Sequence, residues 1–187
     1  MPTGLRTNSA HHTERRIHMR RNHRGFTLVE VIVVVSILSA LTGIISLSVS
    51  SVFSVRVRRC ATEINAFISM CKVNSMSRGG DIRIVLDVDD NGGIRGRYYE
   101  DGSPGAEPKS TEIFSDANVS AEFTVGGVTT ALSSDNPLTL SFDRSTGGFK
   151  PCAMAGTEKI YCTSISVTGG KTYVITLVPS TGNHYMG

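Results

Sequence analysis

The chain is 187 residues long, 40% hydrophobic and 19% charged, with a formal net charge of +3. That charge is unevenly placed: residues 1–25 hold six Arg against one acid, Glu14, for +5, which leaves residues 26–187 at −2. The basic balance belongs to a leader and makes no case for nucleic-acid binding by the rest.

The leader ends at Gly25, and the apolar stretch follows it. An ordinary secretory signal has the reverse order, with the apolar run ahead of a small-residue cleavage site. Here the apolar run stays with the mature protein. Met19 offers a second start, giving a short Met-Arg-Arg-Asn-His-Arg-Gly leader. Residues 26–46 carry one charge, Glu30. About 21 positions at 1.5 Å each suit a hydrocarbon core of roughly 30 Å, which predicts a membrane helix over 26–46. Arg20, Arg21 and Arg24 predict a cytoplasmic N-terminal side, although Arg56, Arg58 and Arg59 lie on the other flank. Ser36, Ser39, Ala40 and Gly43 provide small surfaces for close helix contact. A lone carboxylate at membrane depth costs at least about 2.5–3.5 kcal/mol, so Glu30 needs a partner. A cut after Gly25 supplies one, because Phe26 then carries a free amine that a neighbouring subunit's Glu30 can neutralise.

The run Gly25-Phe26-Thr27-Leu28-Val29-Glu30-Val31 through Gly43 resembles the class III leader and N-methylation segment of type IV pilins and pseudopilins. The resemblance implies cleavage by a membrane prepilin peptidase between Gly25 and Phe26, N-methylation of Phe26, and assembly through Glu30 with other pilins in a filament core. It implies a single-pass protein of the inner (cytoplasmic) membrane, in contact with its lipid, whose head is extracytoplasmic. Major pilins often have Pro where this chain has Leu47. The plainer alternative is a signal anchor that happens to contain a Glu.

Beyond the span, Val49, Phe53, Val57, Cys60, Ile64, Phe67 and Cys71 recur at helical spacing, with Arg56, Arg59, Glu63 and Lys72 off the stripe. Arg78-Gly79-Gly80 closes the helix. The remainder reads as sheet. Residues 82–87 and 94–99 flank an Asp-Asp-Asn-Gly-Gly turn, and further strands are predicted at 119–125, 138–143, 160–168 and 171–178, the last two joined by Gly169-Gly170. The chain therefore divides into a leader (1–25), a transmembrane helix (26–46), its amphipathic continuation (47–80) and a β-rich head (81–187). The fold class is α+β, a long N-terminal helix packed on an antiparallel sheet in the manner of a pilin.

Leu140-Ser-Phe142-Asp-Arg-Ser-Thr-Gly147-Gly148 and Tyr173 to Gly182 look like the GspH/FimT minor pseudopilins, in which the closing Thr-Gly turn is commonly followed by Arg; this chain has Asn183. Some FimT-like members are thought to bind DNA for natural transformation. Residues 81–187 hold eight Lys/Arg against thirteen Asp/Glu, a balance that disfavours DNA unless Arg144, Lys150, Lys159 and Lys171 gather locally.

In an extracytoplasmic head, Cys152 and Cys162 are expected to form a disulfide, closing a loop of about 11 residues and adding about 2–3 kcal/mol. Cys60 and Cys71 are about 16 Å apart along the helix, too far to bridge, and read as buried small hydrophobes. Asp87-x-Asp89-x-Asn91-Gly92 opens like a calcium loop, but the later ligand positions fall on Arg95 and Tyr98, and a polar hairpin tip is the simpler reading. No cofactor is implied. Four of the five His lie in the leader, leaving His184 near a mobile C-terminus, and no Gly-x-Ser-x-Gly elbow, phosphate-binding loop or dinucleotide fingerprint occurs. Nothing in the sequence points to an enzyme; a membrane-anchored sensor or enzyme is the third class.

Overall fold

The structure is a computed structural model that describes residues 26–187 apart from 79 and 104, with the backbone alone over 43–53. The leader with Gly25, and the expected Gly79 cap, lie outside the described residues. Helix α1 (Leu28–Ser77) begins behind Thr27, whose Oγ1 accepts the Glu30 N–H at 3.2 Å. Thr-x-x-Glu is the start of a capping box, and an acidic residue in the first turn also suits the helix dipole. This local role for Glu30 was not anticipated from the sequence.

The chain forms two compact units that divide between Thr42 and Gly43. In the first, every described residue from Phe26 to Thr42 is exposed. Among the described residues no helix is long and apolar enough to cross a membrane. Residues 43–46 of the expected span have no described side chains.

The second unit holds the rest of α1 and the β-rich head, residues 81–187. Its strands are β1 (Arg83–Val88), β2 (Ile94–Tyr99), β3 (Ser110–Ile113), β4 (Ser120–Val125), β5 (Val128–Ala131), β6 (Leu138–Ser141), β7 (Ala153–Ala155), β8 (Glu158–Ile160), β9 (Cys162–Thr168), β10 (Thr172–Val178) and β11 (Asn183–Met186). One sheet has the order β3-β2-β1-β6, a second β11-β10-β9-β4-β5, and β7-β8 is a separate hairpin. All pairings are antiparallel.

Alternation decides which face each strand buries. Ile84 and Leu86 of β1, Leu138 and Leu140 of β6, Ile165 and Val167 of β9, and Ile175 and Leu177 of β10 enter one core. The helix contributes Val57, Cys60, Ala61, Ile64, Phe67, Ile68 and Cys71, the predicted stripe from Val57 onward widened by two neighbours, with Val49 and Phe53 outside the described side chains. Gly96 of β2 leaves room for Phe67 and Phe114, whose rings meet edge to face at 5.3 Å.

The strands that sequence reading missed are short or peripheral. β3 and β5 are almost wholly exposed, and β7 and β8 have three residues each. The predicted strand over 160–168 is interrupted at Tyr161, which separates β8 from β9. His184 is not on a mobile tail: it lies in β11, half-buried, with Nε2 2.7 Å from Ser69 Oγ on α1 and Nδ1 3.1 Å from Gly182 O.

Candidate functional site

The first candidate surface is the exposed segment 26–42. Phe26 is 79% exposed and Glu30 makes no ion pair among the described residues. The hydroxyls of this segment do not reach outward. Ser36 Oγ donates to Ile32 O at 2.8 Å, Ser39 Oγ to Val35 O at 2.8 Å, and Thr42 Oγ1 to Leu38 O at 3.0 Å. Each polar group is thereby satisfied inside the helix, and what faces the surroundings is Val, Ile and Leu with one carboxylate. Such a surface suits an apolar environment and leaves Glu30 as the single group asking for a charged partner.

In the head, the proposed calcium ligands are committed elsewhere. Asp87 is almost fully buried, with both oxygens held by Arg95 at 2.9 and 3.0 Å and Oδ2 also taken by Arg97. The Arg95 guanidinium is raised above its ordinary value chiefly by its hydrogen bond to Asp87. Asp89 Oδ1 accepts the N–H groups of Asn91 at 3.0 Å and Gly93 at 2.7 Å, closing the β1–β2 turn. Asn91 stands exposed beside it. No group of three His, Cys, Asp or Glu among the described residues could hold a metal. Asp87 thus sits in a buried two-arginine clamp, and Asp89 closes the polar hairpin tip with its own side chain.

The expected Cys152–Cys162 bridge is not formed. Both are free thiols, with Cys152 Sγ turned to Thr139 O at 3.7 Å and Cys162 Sγ to Ser164 O at 3.6 Å. Burial pushes Cys162, Cys60 and Cys71 up to about 12, so these three are inert thiols inside the core.

The two late segments singled out in the sequence meet each other. Asp143 Oδ1 accepts from Ser145 N and Oγ at 3.0 and 2.6 Å and from Thr146 N and Oγ1 at 2.9 and 3.1 Å. The Ser145 hydroxyl, then the Thr146 donors, hold the Asp143 carboxyl down to about 2. The tightened loop sets Gly147 against Gly182, which adopts φ +62; a Cβ on Gly182 would overlap the carbonyl oxygen of Gly147. Phe149 N–H donates to Pro179 O at 2.8 Å, and Lys72 on α1 donates to Thr181 O at 2.9 Å and Asn183 Oδ1 at 3.2 Å. Asn183 thus accepts the Lys72 ammonium, which an Arg at this position would meet with like charge.

Beside the interlock lies a cleft of 270 Å³ lined by Lys150, Lys159, Tyr161, Ser145 and Thr146 among others. The structure thus brings two of the four predicted cations into one concavity. Lys150 also reaches Asp81 at 2.7 Å, whereas Lys159 makes no hydrogen bond or ion pair among the described residues. The Ser69–His184 contact has the length of a nucleophile–base pair, but Ser69 Oγ donates to Asn65 O at 3.0 Å and His184 Nδ1 faces a backbone carbonyl. It ties β11 to α1.

An α+β chain of one long helix and antiparallel sheets fits a pilin-like fold. Residues 20–53 match the prokaryotic N-terminal methylation motif, a match that brackets Gly25, Phe26 and Glu30 and ends before the head. It supports a type IV pilin-like protein, cut by a prepilin peptidase, methylated at its new N-terminus and anchored to a membrane as a subunit of a pilus or pseudopilus. No curated protein and no solved structure matches the chain.

Proposed function

We propose that this chain is a minor pilin or pseudopilin of the GspH/FimT type, a structural subunit of a type II secretion pseudopilus or a type IV pilus. The observation that carries the pilin-like part of the reading is the methylation-motif match over 20–53, on a helix whose described N-terminal residues are mostly apolar and exposed; the GspH/FimT type rests on the sequence likeness of residues 140–148 and 173–182 alone. Prepilin peptidase cuts between Gly25 and Phe26, and Phe26 is N-methylated. The segment 26–46 anchors the precursor in the inner-membrane lipid with its head outside the cytoplasm. On assembly the helix leaves lipid for a bundle of neighbouring pilin helices, where Glu30 neutralises the Phe26 amine of the next subunit. An unpaired Glu30 in that setting is strongly disfavoured, so the charge pair sets the register.

The test is intact mass and N-terminal analysis of the chain co-expressed with and without a prepilin peptidase. A product beginning at Phe26 and one methyl heavier is expected only with the peptidase, and Gly25→Ala should block it. A chain that stays uncut under both conditions would return the segment to an ordinary membrane anchor. DNA capture for natural transformation is the alternative. Its one favourable observation is the shared cleft of Lys150 and Lys159, set in a head of net −5.

A further inference from the structure

From the placement of charge on the head we infer that its two ends fit each other: the Asp89–Asp90 hairpin tip of one copy seats in the Lys150–Lys159 cleft of a second copy. This rests on the filament reading above and adds a head-to-head contact to it.

The two features sit at opposite ends of the same sheet. In the β1–β6 pair Arg83 lies opposite Ser141, so β6 leaves the sheet where β1 enters it. Phe142 then bridges Phe149, and the cleft opens from Asp143 onward. The hairpin closes the far end of β1, beyond Val88 and Ile94. Five residue steps along β1 separate the ends by roughly 17 Å.

Each end carries charge that the head itself does not use. Asp90 is exposed and makes no hydrogen bond or ion pair among the described residues, and Asp89 has spent only Oδ1 on the turn. In the cleft, Lys159 is unpaired, Lys150 is shared with the exposed Asp81, and Asp143, the one carboxylate in the lining, has an oxygen occupied by Ser145 and Thr146. Cations are scarce on a head of net −5; Lys150 is offset by Asp81 and Asp143 keeps its charge, so the unpaired Lys159 marks the place where an acidic side chain of another copy is received. The hairpin is a narrow, rigid probe, closed by its own Asp89 bonds. A contact between one end and the other is heterologous; it does not close into a dimer and propagates along a filament.

The experiment uses the full chain in cells that supply the peptidase and the partner pilins. With Cys152→Ser as background, Asn91→Cys plus Pro151→Cys, which flank the two charged groups and leave them in place, should give a ladder of disulfide-linked multimers on oxidation, and Asn91→Cys plus Glu122→Cys should not. Charge reversal gives a second reading. Lys159→Glu and Asp90→Lys singly should each lower the multimer fraction about five-fold, as expected of an exposed ion pair, and together should restore it. A missing ladder, or a double variant as poor as the singles, would overturn the contact. So would Lys159→Glu abolishing a salt-sensitive DNA gel shift while leaving multimers unchanged, since the cleft would then be a nucleic-acid site. Intact mass of the same samples keeps the two readings apart: chains cut at Phe26 that form no ladder sink the docking contact alone, and uncut chains sink both.

Discussion

Residues 28–42 and 57–71 belong to one helix and use similar residues to opposite ends. In the first stretch Ile32, Val35 and Leu38 are 55–56% exposed, whereas in the second Val57, Cys60, Ile64, Ile68 and Cys71 are all at 0%. The second stretch is satisfied by the chain's own sheets; the first stays exposed along its whole described length. Hydrophobic sequence alone does not distinguish the two. The distinction lies in what surrounds it: polar residues off the stripe in 57–71, and in 28–42 small hydroxyl residues that bond back to their own helix.

Substitution should separate the stretches most sharply. Ile64→Ala opens a cavity between helix and sheets and should cost about 2–5 kcal/mol, read as a fall in the melting temperature of the detergent-solubilised chain. Leu38→Ala should change that melting by less than about 0.5 kcal/mol while weakening filament assembly. Equal losses of stability from both would erase the contrast.

A smaller effect tests the polar side of it. Asp87→Ala leaves Arg95 and Arg97 without their shared carboxylate and should cost about 2 kcal/mol; their exposure of 29% and 30% keeps the loss below that of a fully buried pair. Glu30→Ala should leave head stability untouched and act only on assembly. The smallest effect is pH-dependent. Asp143 in the folded head sits at about 2, below the unfolded carboxyl value of about 3.9. Its contribution is therefore complete above about pH 4 and is lost as pH falls through about 2. Melting followed from pH 5 to pH 2 should be less steep in Asp143→Asn than in the parent, and parallel curves would show that the loop's bonds do not couple to stability.

Much of this architecture was legible in the sequence for a physical reason: a half-buried strand must alternate, and a half-buried helix must repeat near every third or fourth residue. Ile82 to Leu86 and the stripe from Val57 to Cys71 carry those periods, and their elements formed as predicted. β3 and β5 bury too little side chain to alternate, so pairing with a neighbour alone defines them, while β11 alternates over only four residues, His184 and Met186 half-buried between Asn183 and Tyr185. At the candidate sites the difference is one of range. The Gly25-Phe26 junction and Glu30 are read along the chain, within a few residues. The cleft, the Asp87 clamp and the Gly147–Gly182 interlock join residues whose proximity only the folded topology creates. Asp87 looked like a cation ligand because its sequence neighbours are acidic, whereas its neighbour across the strand pair is Arg95.

The three core thiols have a consequence for the order of events. Once buried they have no access to oxidants, but burial comes late: β4 and β9, which enclose Cys162, are joined by contacts such as Thr163 to Thr124, 39 residues apart, and pairings of that range close slowly. In an oxidising compartment the chain therefore runs a race between folding and scrambled cross-linking. A variant that merely slows folding would betray itself first by mispaired cysteines, before its finished head lost any stability.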